Sequence, residues 1–303
     1  MSPAADAAGR RNAHPSAARE RPRPVIITRA EAKARLRKVH KESMALAMGP
    51  NSYDALLRRR DAATLTWRGP ALMLFGRTLC AIGAQALVAA VFALRSSPTP
   101  WHDAEPWLPV SGTLIDAGCL TLLWALTRRE GIRLVDLVGF ERARLGRDVL
   151  LGFALVPLYL GFILGGIYAT GWLVYGTLTP PFLFGRLPLP AALYGVLVFP
   201  FLWGLTEQMT YNGYLAPRFQ VLCRSTSVAI ACVAFAWSLQ HVFMPLTFDA
   251  KFMAFRLLSP VPPSVFATFL YLRVRRLVPF AIAHALMDGA SALIGVLLPL
   301  LTA

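Results

Sequence analysis

Four ionisable residues lie inside stretches apolar enough to belong in a membrane. Glu207 stands in TEQMTYNGYL (206–215), His241 in FAWSLQHVFMP (235–245), and His284 and Asp288 begin and end HALMD (284–288). An unpaired charge in hydrocarbon costs several kcal/mol, so such residues are functional candidates by default. His284 and Asp288 are four residues apart, which presents both on one face of a helix. A carboxylate with imidazoles can activate a water by general base action, with or without a bound metal, while other donors hold a developing oxyanion. The same set could relay protons or bind a cation in a carrier. A single membrane histidine is often only an interhelical hydrogen-bond donor. Four such residues on three segments are much harder to explain that way. Beside Glu207, Gln208 and Asn212 are polar but uncharged.

The elements that must position these residues are runs of about 20 apolar residues, the length of a membrane span. Such runs occur at 71–94, about 108–127, 149–175, about 191–215, 228–248 and 278–301, with a weaker one near 257–272 interrupted by Pro260, Pro262 and Pro263. The expected fold is all-α, a polytopic membrane helix bundle of about seven transmembrane helices. Loop charge sets its orientation. Lys and Arg concentrate in 1–70, in 128–148 and in 273–277, whereas 95–107 and 176–190 carry one arginine each. By the positive-inside rule this alternation expects the N-terminus in the cytoplasm and the C-terminus outside. The loops 216–227 and 249–256 are nearly tied in charge, so six or eight spans also fit. Arg77, near the start of the first run, is expected to snorkel to the interface. Asp116 is expected to reach the outer interface, and Gln240 and Ser238 to be packing glue. Gly161, Gly165 and Gly166 are expected to let helices approach closely. The tryptophans, Trp203 and Trp237 among them, are expected to be interface anchors or core, with no chemistry attached.

Composition agrees with a membrane body and adds a basic arm. Of 303 residues, 56% are hydrophobic, yet the net charge is +15. Residues 1–70 hold 15 Lys and Arg against 6 Asp and Glu. No aromatic-interleaved basic motif or zinc-finger spacing points to nucleic acid, so the arm reads as facing an anionic membrane surface. Its first 24 residues are rich in Ala, Arg and Pro and read as disordered. Thr28 and Glu31 are spaced as a capping box for a cytoplasmic helix over 28–48. The domain reading is therefore a basic N-terminal region over 1–70 and a transmembrane domain over 71–303. Cys80, Cys119, Cys223 and Cys232 lack CxxC spacing and are assigned neither disulfides nor metal. No repeat of 20–50 residues indicates the duplicated architecture of many transporters.

At its polar residues the sequence resembles the CAAX prenyl protease and bacteriocin-processing family of intramembrane proteases, also called the Abi family. That family's pattern is Glu-Glu-x-x-x-Arg, then an aromatic shortly before a His within a span, then His-x-x-x-Asn or Asp. Here these appear as EQMTYNGYL from Glu207, as WSLQH with Trp237 where Phe is commoner, and as HALMD. The stretch REGIRLVDLVGF (129–140) looks like the basic loop preceding the family core, and the likeness covers about 128–300. It implies a membrane-embedded endopeptidase acting on a membrane-associated protein or peptide. Glu207 and His241 would activate water, and His284 and Asp288 would complete the site. A divalent metal such as zinc would have Glu207, His241 and His284 as candidate ligands.

Two positions depart from the pattern. Gln208 replaces the second Glu and Asn212 the Arg. Losing one charge of a buried ion pair would strand the other, whereas losing both keeps the site neutral. The expectation is a paired swap, two amides in a supporting shell that still hydrogen-bond each other. The rival readings are a catalytically inactive membrane regulator on the same fold and an ion-coupled transporter. The substrate itself is not encoded in any motif: a prenylated protein, a bacteriocin-like peptide and a membrane-anchored regulator all fit.

Overall fold

The computed structural model describes residues 49–178, 185 and 187–302. The helix expected over 28–48 and the Pro-rich stretch before it lie outside the described residues. Every regular element among the described residues is helical. In chain order they are α1 (Tyr53–Asp61), α2 (Arg68–Leu94), α3 (Leu108–Arg129), α4 (Leu145–Tyr175), α5 (Leu189–Leu197) and α6 (Phe199–Gln208). A π-helical segment, Met209–Leu215, leads directly into α7 (Ala216–Cys223). Then come α8 (Thr226–Val242), α9 (Ala250–Leu258), α10 (Val261–Val274) and α11 (Val278–Ala292), whose axis continues through a further π turn to Leu301.

Among the described residues, five helical stretches are long and apolar enough to cross a membrane: Arg68–Leu94, Pro100–Arg129, Leu134–Tyr175, Ala250–Val274 and Val278–Leu301. A sixth arises if Leu189–Leu197 and Phe199–Cys223, bent by 44° at Val198, count as one broken span. Pro200, which cannot donate a backbone hydrogen bond, lies in the first turn beyond that break. The span expected over 228–248 is the short one. Helix α8 has 17 residues, and at 1.5 Å per residue it reaches only about 25 Å, below the hydrocarbon thickness. The weak run near 257–272 is α9 and α10 joined at Ser259–Pro260. Its prolines cap α10 or fill its first turn, where the missing N–H has no intrahelical partner anyway. Two loop assignments change with this architecture. Residues 216–223 are helix rather than loop, and Asp249 caps α9 by accepting from the backbone nitrogens of Lys251 and Phe252 at 2.8 and 3.1 Å.

The polarity of the bundle is that of a multi-pass integral membrane protein. Leu79, Leu87, Leu150 and Leu173 are exposed on its outside, while Arg77, Asp116, Glu207 and Arg218 are buried within it. Apolar side chains have no reason to turn inward in lipid, but charges do. Gly166 of α4 shows how closely helices approach, because a Cβ there would collide with the carbonyl of Ser259. Gly161 and Gly165 face open space and have no such role.

One end of the bundle is tied by arginines. Arg218 of α7 donates Nε to Glu130 Oε1 at 2.8 Å and Nη2 to Glu130 Oε2 at 2.6 Å, and its guanidinium stacks 3.8 Å from the Tyr214 ring centroid. Its Nη1 reaches Asn51 Oδ1 at 3.1 Å, and Asn51 in turn donates to the carbonyl of Gly213 at 2.8 Å. The segment before α1 is thereby sewn to the π segment, and Leu56 and Leu65 pack on Val221 of α7. Across the same network, Arg59 lies 3.6 Å from Glu130. Arg276 pairs with Asp148 and, at 3.3 Å, with Glu141, and the Asp148 hydrogen bond holds its guanidinium above the ordinary arginine range. Breaking a buried pair from one side strands a charge. Arg218→Met should therefore lower unfolding stability by about 3–5 kcal/mol, and Arg218→Met with Glu130→Leu should recover most of it, read by thermal unfolding in detergent.

Candidate active site

The site is assembled across a contact that admits no side chain. Gly204 of α6 faces α11 so closely that a Cβ would lie 2.9 Å from the Ala285 nitrogen and 3.2 Å from the Ala281 carbonyl oxygen. One turn further along α6, that proximity sets Glu207 against His284. Glu207 Oε2 is 3.1 Å from His284 Nε2, and the same nitrogen is 3.3 Å from Asp288 Oδ2. Neither carboxylate oxygen satisfies hydrogen-bond geometry with its neighbours. The imidazole thus sits beside two buried acceptors without saturating either. Glu207 Oε1 accepts from Gln240 Nε2, so Gln240 is a partner of the buried carboxylate rather than packing glue.

The two amides that depart from the family pattern form a relay into this cluster. Asn212 donates Nδ2 to Gln208 Oε1 at 2.6 Å. Since that carbonyl end is taken, the amide nitrogen of Gln208 points the other way, 3.2 Å from His284 Nδ1. An amide nitrogen can only donate, so Nδ1 accepts and the imidazole proton resides on Nε2, between the two carboxylates. The expected amide–amide bond is present, and it orients His284. Asn212 lies in the π-helical segment that begins at Met209, and such segments recur at functional sites.

His241 is at the end of α8 and lines the same cavity as Glu207, His284 and Asp288 without contacting them directly. Its Nδ1 lies 2.7 Å from the carbonyl of Trp237, one turn back, which makes Nδ1 the donor and leaves the Nε2 lone pair free. Arg256 of α9 holds the backbone there, donating to the carbonyls of His241 at 3.2 Å and Met244 at 2.9 Å. The cavity has a volume of about 360 Å³ and a mostly apolar wall that includes Tyr159, Ile163, Phe252, Phe255 and Met287. Trp237 contributes its ring as well as its carbonyl, stacked 4.9 Å from Tyr211 and 6.0 Å from the His284 ring.

Two charged residues read as interfacial belong to this neighbourhood. Arg77 is fully buried on α2, with Nη2 2.9 Å from Asp116 Oδ1 of α3, Nε 4.0 Å from Glu207 Oε1 and its guanidinium 4.2 Å from the Trp203 ring. Asp116 is 3% exposed and points inward to that guanidinium instead of outward. Nothing in the spacing of Arg77 linked it to Glu207. The one usable signal was a charge inside an apolar run at all.

A metal does not suit this donor set. Among the described residues no three His, Cys, Asp or Glu side chains are arranged to hold one. Glu207 and His284 face each other at 3.1 Å, and His241 lines the same cavity without joining them. The three candidate ligands share no centre, and no step is derived through a metal.

Two outcomes follow from the packing and the relay. Gly204→Ala should cost about 1–3 kcal/mol of stability through overpacking against α11, measured by thermal unfolding. Asn212→Arg alone should destabilise the protein more than Asn212→Arg with Gln208→Glu; equal or reversed effects would sink the paired swap.

Comparison with known proteins supplies the family. Neither a search of curated proteins nor one of solved structures finds a match. A family model does match, that of the type II CAAX prenyl endopeptidase, Rce1-like, over residues 187–290. That stretch runs from the start of α5 into α11 and contains Glu207, His241, His284 and Asp288, whereas α2 and α3 lie outside it. A match to this family over that stretch points to a protease, and the apolar helices place it in the bilayer. Residues 187–290 are an Rce1-like domain, and the family is the one that the Glu207, His241 and His284 motifs resemble.

Proposed function

We propose that the chain is an intramembrane endopeptidase in which Glu207 and His241 activate water, and His284 with Asp288 completes the site. One observation carries this reading: Glu207, His284 and Asp288 meet, from two helices, on the wall of a cavity that His241 also lines. An apolar cavity of about 360 Å³ accepts a few residues of a hydrophobic peptide or part of a lipid-modified one.

In the proposed reaction, Glu207 takes a proton from water while the Nε2 lone pair of His241 accepts its second hydrogen. The oxygen attacks the scissile carbonyl carbon, and the carbonyl π electrons move onto oxygen. The Nε2–H of His284 donates to that oxyanion. Collapse breaks the C–N bond as the proton held on Glu207 passes to the leaving amine. Asp288 faces the same imidazole nitrogen and favours its donor form, and Gln208 holds the ring from the other side. The amide relay supports an active site over an inactive relative, because the replaced pair still does a positioning task. The arginine-tied end also collects the basic loops, which supports a cytoplasmic N-terminus under the positive-inside rule.

The test uses purified full-length protein in detergent with internally quenched peptides, prenylated and unprenylated, ending in a CAAX sequence. Wild type should cleave, and Glu207→Ala and His241→Ala should each lose at least about a thousandfold in kcat/KM, the scale expected when a general base is removed, while unfolding at wild-type temperature. Cleavage that persists in Glu207→Ala would refute the assignment. A Glu207→Ala strain that keeps the wild-type phenotype, with no peptide cleaved by the wild-type protein, would favour the non-catalytic partner.

A further inference from the structure

Arg77 has a stake in the site that the matched segment does not account for. It stands on α2, outside 187–290, and is not among the residues lining the cavity. Its nearest acid is Asp116, yet none of its three guanidinium nitrogens and neither Asp116 oxygen meets hydrogen-bond geometry. The guanidinium is ion-paired with Asp116 and still has nitrogens to turn toward a second acid. It lies between two carboxylates on different helices, 2.9 Å from one and 4.0 Å from the other, steadied by the face of Trp203. Meanwhile Asn212, where the family pattern carries arginine, is neutral and engaged with Gln208.

The remaining charged groups around Glu207 do not supply what it needs. Asp116 on α3 and Asp288 on α11 are themselves acids. Arg256 on α9 spends two nitrogens on backbone carbonyls, and His241 on α8 donates to Trp237. His284 donates from a ring that is neutral when Gln208 faces its other nitrogen. Arg77 is the permanent cation closest to the carboxylate among the described residues.

We propose that Arg77 is a positioning residue that provides, from α2, the positive charge that faces and holds the Glu207 carboxylate. Asp116 anchors that arginine in turn. The inference rests on the reading of Glu207 as the water-activating carboxylate, but its test is made on the carboxyl group itself and needs no substrate.

Full-length protein in membrane vesicles at neutral pH is treated with dicyclohexylcarbodiimide, an apolar reagent that adds to protonated carboxyl groups, and modification of Glu207 is quantified by mass spectrometry. Wild type and Arg77→Lys should resist. Arg77→Met should be modified on the order of tenfold faster, the scale expected when a nearby opposite charge is removed. The decisive variant is Arg77→Met with Asp116→Leu, which replaces the buried pair by apolar side chains and keeps the fold. If Arg77 serves Glu207, this variant is modified as readily as Arg77→Met. If Arg77 only neutralises Asp116, the double variant resists like wild type and the proposal fails. Rapid modification of Glu207 in wild type would overturn it as well. Arg77→Gln takes the place of Arg77→Met should the latter not accumulate. A protein that cleaves no peptide but shows these differences would contradict the protease reading and leave this one standing.

Discussion

A carboxylate carried into the interior of a membrane bundle loses its hydration, and the effective penalty is several kcal/mol per ion even after the protein relaxes. Glu207 is 1% exposed, so its surroundings must return that energy or the group will exist as a neutral acid with no use as a base. A cation at 4.0 Å is worth about 4 kcal/mol at the effective dielectric typical of protein sites. That attraction and the penalty are of the same size, and neither dominates alone. The balance is completed by the Gln240 amide on one oxygen and the His284 ring on the other.

Much of the bundle can be understood as the scaffold for that balance. The contact at Gly204 draws α6 against α11 and sets the separation of Glu207 from His284. Within and just before the π segment from Met209, Asn212 meets Gln208, and Gln208 meets His284. At the far end of the same strand of helix, Arg218 and Glu130 fasten α7 to the end of α3 and to the segment before α1. The two ends have different demands. The arginine-tied end is polar and partly wet, and can use long side chains in bidentate pairs. At the site end Glu207, Gln208, Asn212 and Gln240 are all buried, so each polar atom there matters individually.

The membrane helices were legible because their signal is hydropathy over about 20 residues, which needs no tertiary information. The three polar motifs were legible for a related reason: polar residues in such runs stand out against their surroundings. The link between Gln208 and Asn212 could be foreseen from i, i+4 spacing alone. Arg77 and Asp116 were visible as charges but not as partners, because their meeting depends on how α2 and α3 pack, and no local spacing encodes that. Gln240 was passed over for a similar reason, being adjacent to a more conspicuous histidine. The crossing count stayed open because α8 is short and the α5–α6 span is broken, and both look continuous in a hydropathy profile. Arg218 was counted as a loop charge, although it is buried in a helix against Glu130.

The central claim is that this membrane carboxylate exists to cut polypeptide. Cells carrying wild type and cells carrying Glu207→Gln, which keeps the shape of the side chain, can be compared by quantitative proteomics of peptide termini in the membrane fraction. The account predicts at least one membrane-associated polypeptide that loses its shortened form and accumulates uncleaved in the Glu207→Gln cells, with the variant itself present at wild-type abundance. Indistinguishable termini in the two membranes, at equal abundance of the protein, would contradict it.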